Sequence, residues 1–267
     1  VPSHIGLALD QLCEVVKRLV AVLAGNHHLR ATQLELAGAV QSVVAKIDAL
    51  GTYPDVLLPL HTDLLHLYLR SGHPERGLEL AQRRFTSVYR AGAESRAALA
   101  FHYYAGVVFA AAGQYPRAEQ CFELVYRSPR PAKTSWVVLC AYLKYVLTAL
   151  IVRGQLPKGT KFDMPRRDER FDMYMEYMAS SRGGDDERGL SARLEEYARL
   201  AELVAARNVP AVRGFVNANA AMLRADGNLG LAKRLEQRML QHLLLAAADV
   251  YDSCSYTKLL RSGGFRS

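Results

Sequence analysis

Gly72, Gly113 and Gly154 stand 41 residues apart, and each closes a long apolar segment with helical spacing. The local sequences are SGHPERGLEL, AGQYPRAEQC and RGQLPKG. In the first two a small residue, Gly77 or Ala118, follows five places later and opens a second amphipathic segment. The physical reading is a helical hairpin. One helix ends, glycine supplies the positive φ of the C-cap, and Pro74 or Pro116 sits where the next helix starts. The small residue then lets the two helices approach. Gly227 and Ala232 in DGNLGLAK make a later half-echo. A two-helix period of this length predicts an α-solenoid, because one hairpin cannot bury its apolar face alone.

The rest of the pattern agrees with an all-α chain. Ala118, Cys121, Phe122 and Val125 follow i, i+3, i+4, i+7; so do Leu194, Tyr197, Ala198, Ala201 and Ala205. No alternating run is bounded by turn signals. Half of the 267 residues are apolar, enough for a core. Ser135–Val152 is apolar almost throughout, but Lys144 near its centre would cost roughly 3 kcal/mol in a bilayer. A helix covered on all sides by other helices is the expected state, and no membrane is called for.

The repeat spacing breaks after Pro157. Residues 161–189 carry a net charge of −2 between flanks of +6 and +4, and include FDMYMEYM and a Gly-Gly pair. The expected organisation is TPR-like hairpins over 1–160, an exposed insertion or linker over 161–189, and a second helical region over 190–267.

Sequence chemistry is sparse. No GxSxG, HExxH, EF-hand or phosphate-loop pattern occurs, so no catalytic, cofactor-binding or metal residue is assigned. The four cysteines lie far apart and read as reduced thiols; Cys140 sits in an apolar helix, where burial makes a thiol inert. His61 and His66 are five apart and point to different helix faces. The net charge is +8, with 26 Arg and 8 Lys. The basic clusters Arg83-Arg84 and Lys233-Arg234 are expected on amphipathic helices, where bases form the solvent side, so nucleic acid is not expected. Neither is a small-molecule substrate.

Three stretches resemble one known family. The first is HYYAGVVFAAAGQYPRAEQCFELVYRSP, with Tyr103, Tyr104 and Gly106; the second is AYLKYVLTALIVRGQLPKGT, with Lys144, Leu156 and Pro157. The third is ADGNLGLAKRL, with Asp226, Asn228, Gly230, Leu231 and Lys233. Together they resemble the PCI-domain scaffold family of COP9 signalosome subunit 3, over about Leu7 to Leu245. The 161–189 insertion departs from that pattern. The family's N-terminal helices are expected before Val1, and its winged helix is expected to be truncated after 267.

The resemblance implies a non-catalytic scaffold of the complex that removes a ubiquitin-like modifier from cullins and so regulates cullin-RING ligases. It implies nuclear and cytoplasmic location and signalosome subunits as partners, joined through the PCI region and C-terminal helices. Leu235 and Met239 are then expected to face a partner. The alternative is a PCI scaffold of the proteasome lid or translation initiation type, RNA-associated.

Overall fold

A computed structural model of the chain describes residues 3–24, 28–51, 53, 55–89, 94–128, 136–156 and 186–248. Contacts divide the chain into two compact units, residues 1–125 and 126–267. Among the described residues there are eleven α-helices, one 3-10 turn and two two-residue strands.

Unit 1 contains α1 (Ser3–Ala24), α2 (Arg30–Ala49), α3 (Pro59–Ser71), α4 (Leu78–Gln82), α5 (Glu94–Ala111) and most of α6 (Tyr115–Arg127). α3 is its central helix, packing on α1, α2 and α5. Its sequence explains its start. Pro59 occupies the first turn, where no N–H is needed, and His61 Nδ1 accepts the Leu58 N–H at 3.0 Å. Val16, Val20, Ala37 and Val40 close the core around its Leu60 and Leu64.

Two local features depart from the sequence expectation. The helix after Gly77 was expected to be a full hairpin partner, but a 3-10 turn over Pro74–Gly77 leads into only five residues of α4. Arg83 then turns extended (φ −64°, ψ 137°) and its guanidinium grips both Asp48 carboxylate oxygens at 2.6 and 2.9 Å. That tether draws the chain back past α2. The second departure is a short parallel pair, β1 (Val56–Leu57) with β2 (Ser87–Val88), with Val56 opposite Ser87. Two-residue strands carry no readable alternation.

Unit 2 contains α7 (Trp136–Arg153), α8 (Asp186–Ala205), α9 (Val209–Ala218), α10 (Ala220–Ala225) and α11 (Leu229–Ala248). α11 packs on α7 and α9, and α8 packs on α7 and α9. α7 is buried nearly all round, as its lack of a polar face requires. α8 begins at Asp186; the remainder of the 161–189 stretch, including FDMYMEYM, lies outside the described residues. No helix among the described residues is long and apolar enough to cross a membrane.

One turn recurs in both units. Gly72, Gly113 and Gly227 have φ of 85°, 74° and 67°. In each, the glycine N–H bonds three residues back and the next N–H bonds five back, at 2.7–3.3 Å. These are Schellman turns, which satisfy the last carbonyls of a helix and start the next within two residues. Gly154 (φ 68°) closes α7 with the simpler bond to the Leu150 carbonyl, 2.9 Å. A fourth Schellman turn has no glycine: Arg207 takes φ 55° between α8 and α9.

Candidate functional site

The most elaborate side-chain chemistry among the described residues lies inside unit 2, where α7, α8 and the α10–α11 turn meet. Lys144 lies mid-way along α7 and is only 6% exposed. A buried ammonium must find acceptors. Lys144 Nζ donates to Asn228 Oδ1 at 2.6 Å and to the Gly227 carbonyl at 3.1 Å. The Schellman turn presents both acceptors, because its left-handed glycine reverses the chain toward α7.

The network continues outward. Asn228 Nδ2 donates to Tyr197 Oη at 2.8 Å, and Tyr197 Oη donates to Asp226 Oδ2 at 3.1 Å. Arg193 Nη1 donates to Asp226 Oδ1 at 3.2 Å. Two cations therefore bracket one carboxylate, with a neutral amide and a phenol between. The donors run in one direction from Lys144 to Asp226, so the bonds polarise one another. The Asp226 side chain is 4% exposed, and Arg193, 35% exposed, links it to solvent.

Burial pushes the Lys144 ammonium down to about 8, and Asp226 and Cys140 pull the other way. Burial pushes the Tyr197 phenol far above its ordinary value, so it stays protonated and keeps its donor. This is a latch between helices.

The network joins two of the stretches that carried the resemblance. Lys144 comes from AYLKYVLTALIV, and Asp226 and Asn228 come from ADGNLGLAKRL. Arg193 and Tyr197 were missed by sequence reasoning. Tyr197 sits on an apolar stripe, but a core tyrosine still needs a partner for its hydroxyl, and that need was the available signal.

Other expected residues lie elsewhere. Leu231 is half-buried on α11, while Gly230 and Lys233 are exposed. Leu235 (0% exposed) and Met239 (4% exposed) are in the unit 2 core, which corrects their expected partner-facing role. They form the α11 stripe that packs on its neighbours, so no covering wing is needed to bury them. Leu156 is half-buried after α7, and Pro157 lies outside the described residues.

In unit 1, Gly106 of α5 faces Phe122 of α6 so closely that a Cβ would stand 2.6 Å from its ring. Ala118 is fully buried, and Gly77 lies against Leu65 and Val108. Tyr103 flanks Phe122 at 6.2 Å, and Tyr104 stacks on His66 at 4.7 Å and 9°. Burial pushes His66 down to about 4, so its ring is neutral in that stack. Burial and the Arg83 guanidinium do the same to His61, also about 4. Burial pushes the Cys13 and Cys121 thiols up to about 11. Among the described residues no three His, Cys, Asp or Glu side chains are placed to hold a metal ion.

Helical hairpins joined by left-handed turns, with side-chain chemistry spent on linking helices, define a helical-repeat protein. Residues 2–165 match the family described as COP9 signalosome complex subunit 3, N-terminal helical repeats, and the chain belongs to that family. A COP9 signalosome complex subunit 3 from Dictyostelium discoideum is 23% identical over 209 residues, covering 74% of this chain and 44% of the relative. The protein of that name from Drosophila melanogaster is 26% identical over 166 residues, covering 53% of this chain and 37% of the relative. The chain thus spans less than half the length of these curated relatives.

Proposed function

We propose that the chain acts as a non-catalytic scaffold subunit in a COP9-signalosome-type assembly, in nucleus and cytoplasm. It would serve the removal of a ubiquitin-like modifier from cullins, and so the control of cullin-RING ubiquitin ligases. The observation that carries this reading is the family match over residues 2–165. It is supported by a site whose charged groups are consumed in holding helices together. In this reading residues 190–267 form the helical part of a PCI domain. Neighbouring subunits are engaged through that region and its C-terminal helix.

The test is co-expression of the tagged chain with the remaining signalosome subunits, followed by native mass spectrometry. Incorporation at one copy per complex, with cullin deneddylation restored to a complex lacking its subunit 3, is the expected result. Co-purification with proteasome-lid subunits instead, or metal-dependent isopeptidase activity of the isolated chain, overturns the reading.

A further inference from the structure

Within unit 2, α7 and α11 pack on each other, and each carries apolar side chains that recur every turn. α7 carries the buried apolar residues Leu139, Leu143, Val146, Leu147 and Leu150; α11 carries the buried Leu235 and Met239 and the half-buried Leu231. A slide of one helical turn, about 5.4 Å, would exchange apolar side chains for apolar side chains. Apolar burial is non-directional, so these side chains by themselves do not choose one register; polar ties do, and toward the C-terminal end of α7 one of them is His242 Nε2, 3.1 Å from the Ile151 carbonyl oxygen.

Beside the buried Tyr145 phenol, the buried polar side chains among the described residues of α7 are Lys144 and Thr148, and these two differ in what they reach. Thr148 Oγ1 donates within its own helix, to the Lys144 and Tyr145 carbonyls at 2.8 and 3.0 Å, and selects nothing on α11. Lys144 crosses to the residues that immediately precede α11, Gly227 and Asn228. Asn208, at the matching position before α9, caps its own helix by accepting the Ala211 N–H at 3.1 Å. Asn228 instead gives its side-chain oxygen to Lys144 and its amide to Tyr197.

We infer that Lys144 is a register pin: it fixes where the α10–α11 turn docks along α7, and its contribution is to specificity of packing rather than to net stability. In any slipped register the ammonium would be buried without acceptors, a state far more costly than the lost apolar contact. A buried ion replaced by an apolar residue of similar volume often leaves stability equal or higher. The pin acts by penalising alternatives.

The test compares the 267-residue chain with Lys144→Met, Thr148→Val and the double variant Lys144→Met/Asn228→Leu, by thermal melting and amide hydrogen exchange. Lys144→Met and the double variant are expected to melt at or above the wild-type temperature while the α11 amides from Leu231 to His242 lose at least tenfold protection. Thr148→Val is expected to leave α11 exchange unchanged. Wild-type protection of α11 in both Lys144 variants overturns the inference. So does failure of both to fold, or an equal loss of protection in α8, α9 and α11 together, because Lys144 would then be a general stability element.

Discussion

Lys144 Nζ and Asn228 Oδ1 stand 2.6 Å apart across 84 residues of sequence. A lysine in the middle of an apolar helix and an asparagine in a glycine turn each look like a local exception. Placed together they satisfy one another, and the turn backbone supplies the second acceptor.

That pairing has a pH signature. The folded ammonium titrates at about 8, below its ordinary value of 10.5. Between those values the unfolded chain binds more protons than the folded one, so the unfolding free energy rises with pH across that window. The full shift corresponds to about 3 kcal/mol. Denaturant curves at pH 7.5 and 9.5 should show the wild type gaining stability relative to Lys144→Met. Parallel pH dependence in the two proteins would refute a titrating Lys144.

Asp63 gives the opposite trend. Burial pushes its carboxyl from 3.8 up to about 6, against a smaller downward pull from Lys17. The folded chain therefore holds the extra proton between about pH 4 and 6, and stability declines as pH rises through that interval. Asp63→Asn should flatten this decline and melt higher than wild type at pH 7. Superimposable melting-temperature profiles from pH 4 to 7 would rule the effect out.

Gly106 tests the α5–α6 contact. A Cβ there stands 2.6 Å from Phe122 Cε1, and all three of its nearest atoms belong to the fully buried Phe122 ring. Gly106→Ala should cost about 1–3 kcal/mol by overpacking, despite the better helix propensity of alanine. Phe122→Leu in the same chain should make the added methyl less costly. Urea denaturation of the four proteins of this cycle measures the coupling, and additive losses would mean the two residues do not meet.

Gly113 isolates backbone strain from packing, since nothing lies within 4 Å of where its Cβ would be and its φ is 74°. Gly113→Val should lose more than about 1 kcal/mol, because a β-branched residue is strained at positive φ. Gly113→Asn should lose less. Equal melting temperatures for both variants would remove the left-handed turn from this position.

The hairpin turns were legible in the sequence where glycine marks them. The 41-residue spacing picks out Gly72, Gly113 and Gly154, and all three have positive φ. The short α4 was not legible, because Arg83 leaves the helix for a carboxylate 35 residues away, a tertiary contact that no local propensity encodes. The latch was half legible. Lys144 stood out as a charge in an apolar segment and the Asp226–Asn228 turn as a half-echo of the glycine repeat, while Tyr197 was hidden by serving the apolar stripe and the network at once. Leu235 and Met239 showed an apolar stripe, and periodicity alone does not say what covers one.

The turn before α9 escaped notice because its left-handed residue is Arg207, exposed and at φ 55°. Its signal was the following Asn208-Val209-Pro210, an N-cap and a first-turn proline. Left-handed geometry costs a non-glycine residue roughly 1–2 kcal/mol, and glycine's freer unfolded chain gives back about 0.5–1 kcal/mol of that. Arg207→Gly should therefore raise stability by a few tenths to about 1 kcal/mol, although glycine usually weakens helical proteins. The effect should be absent at Arg199, which is exposed within α8; there, Arg199→Gly should lose about 1 kcal/mol. Thermal melting of the two variants decides the matter: a loss at both positions would mean that residue 207 does not hold a left-handed conformation in solution.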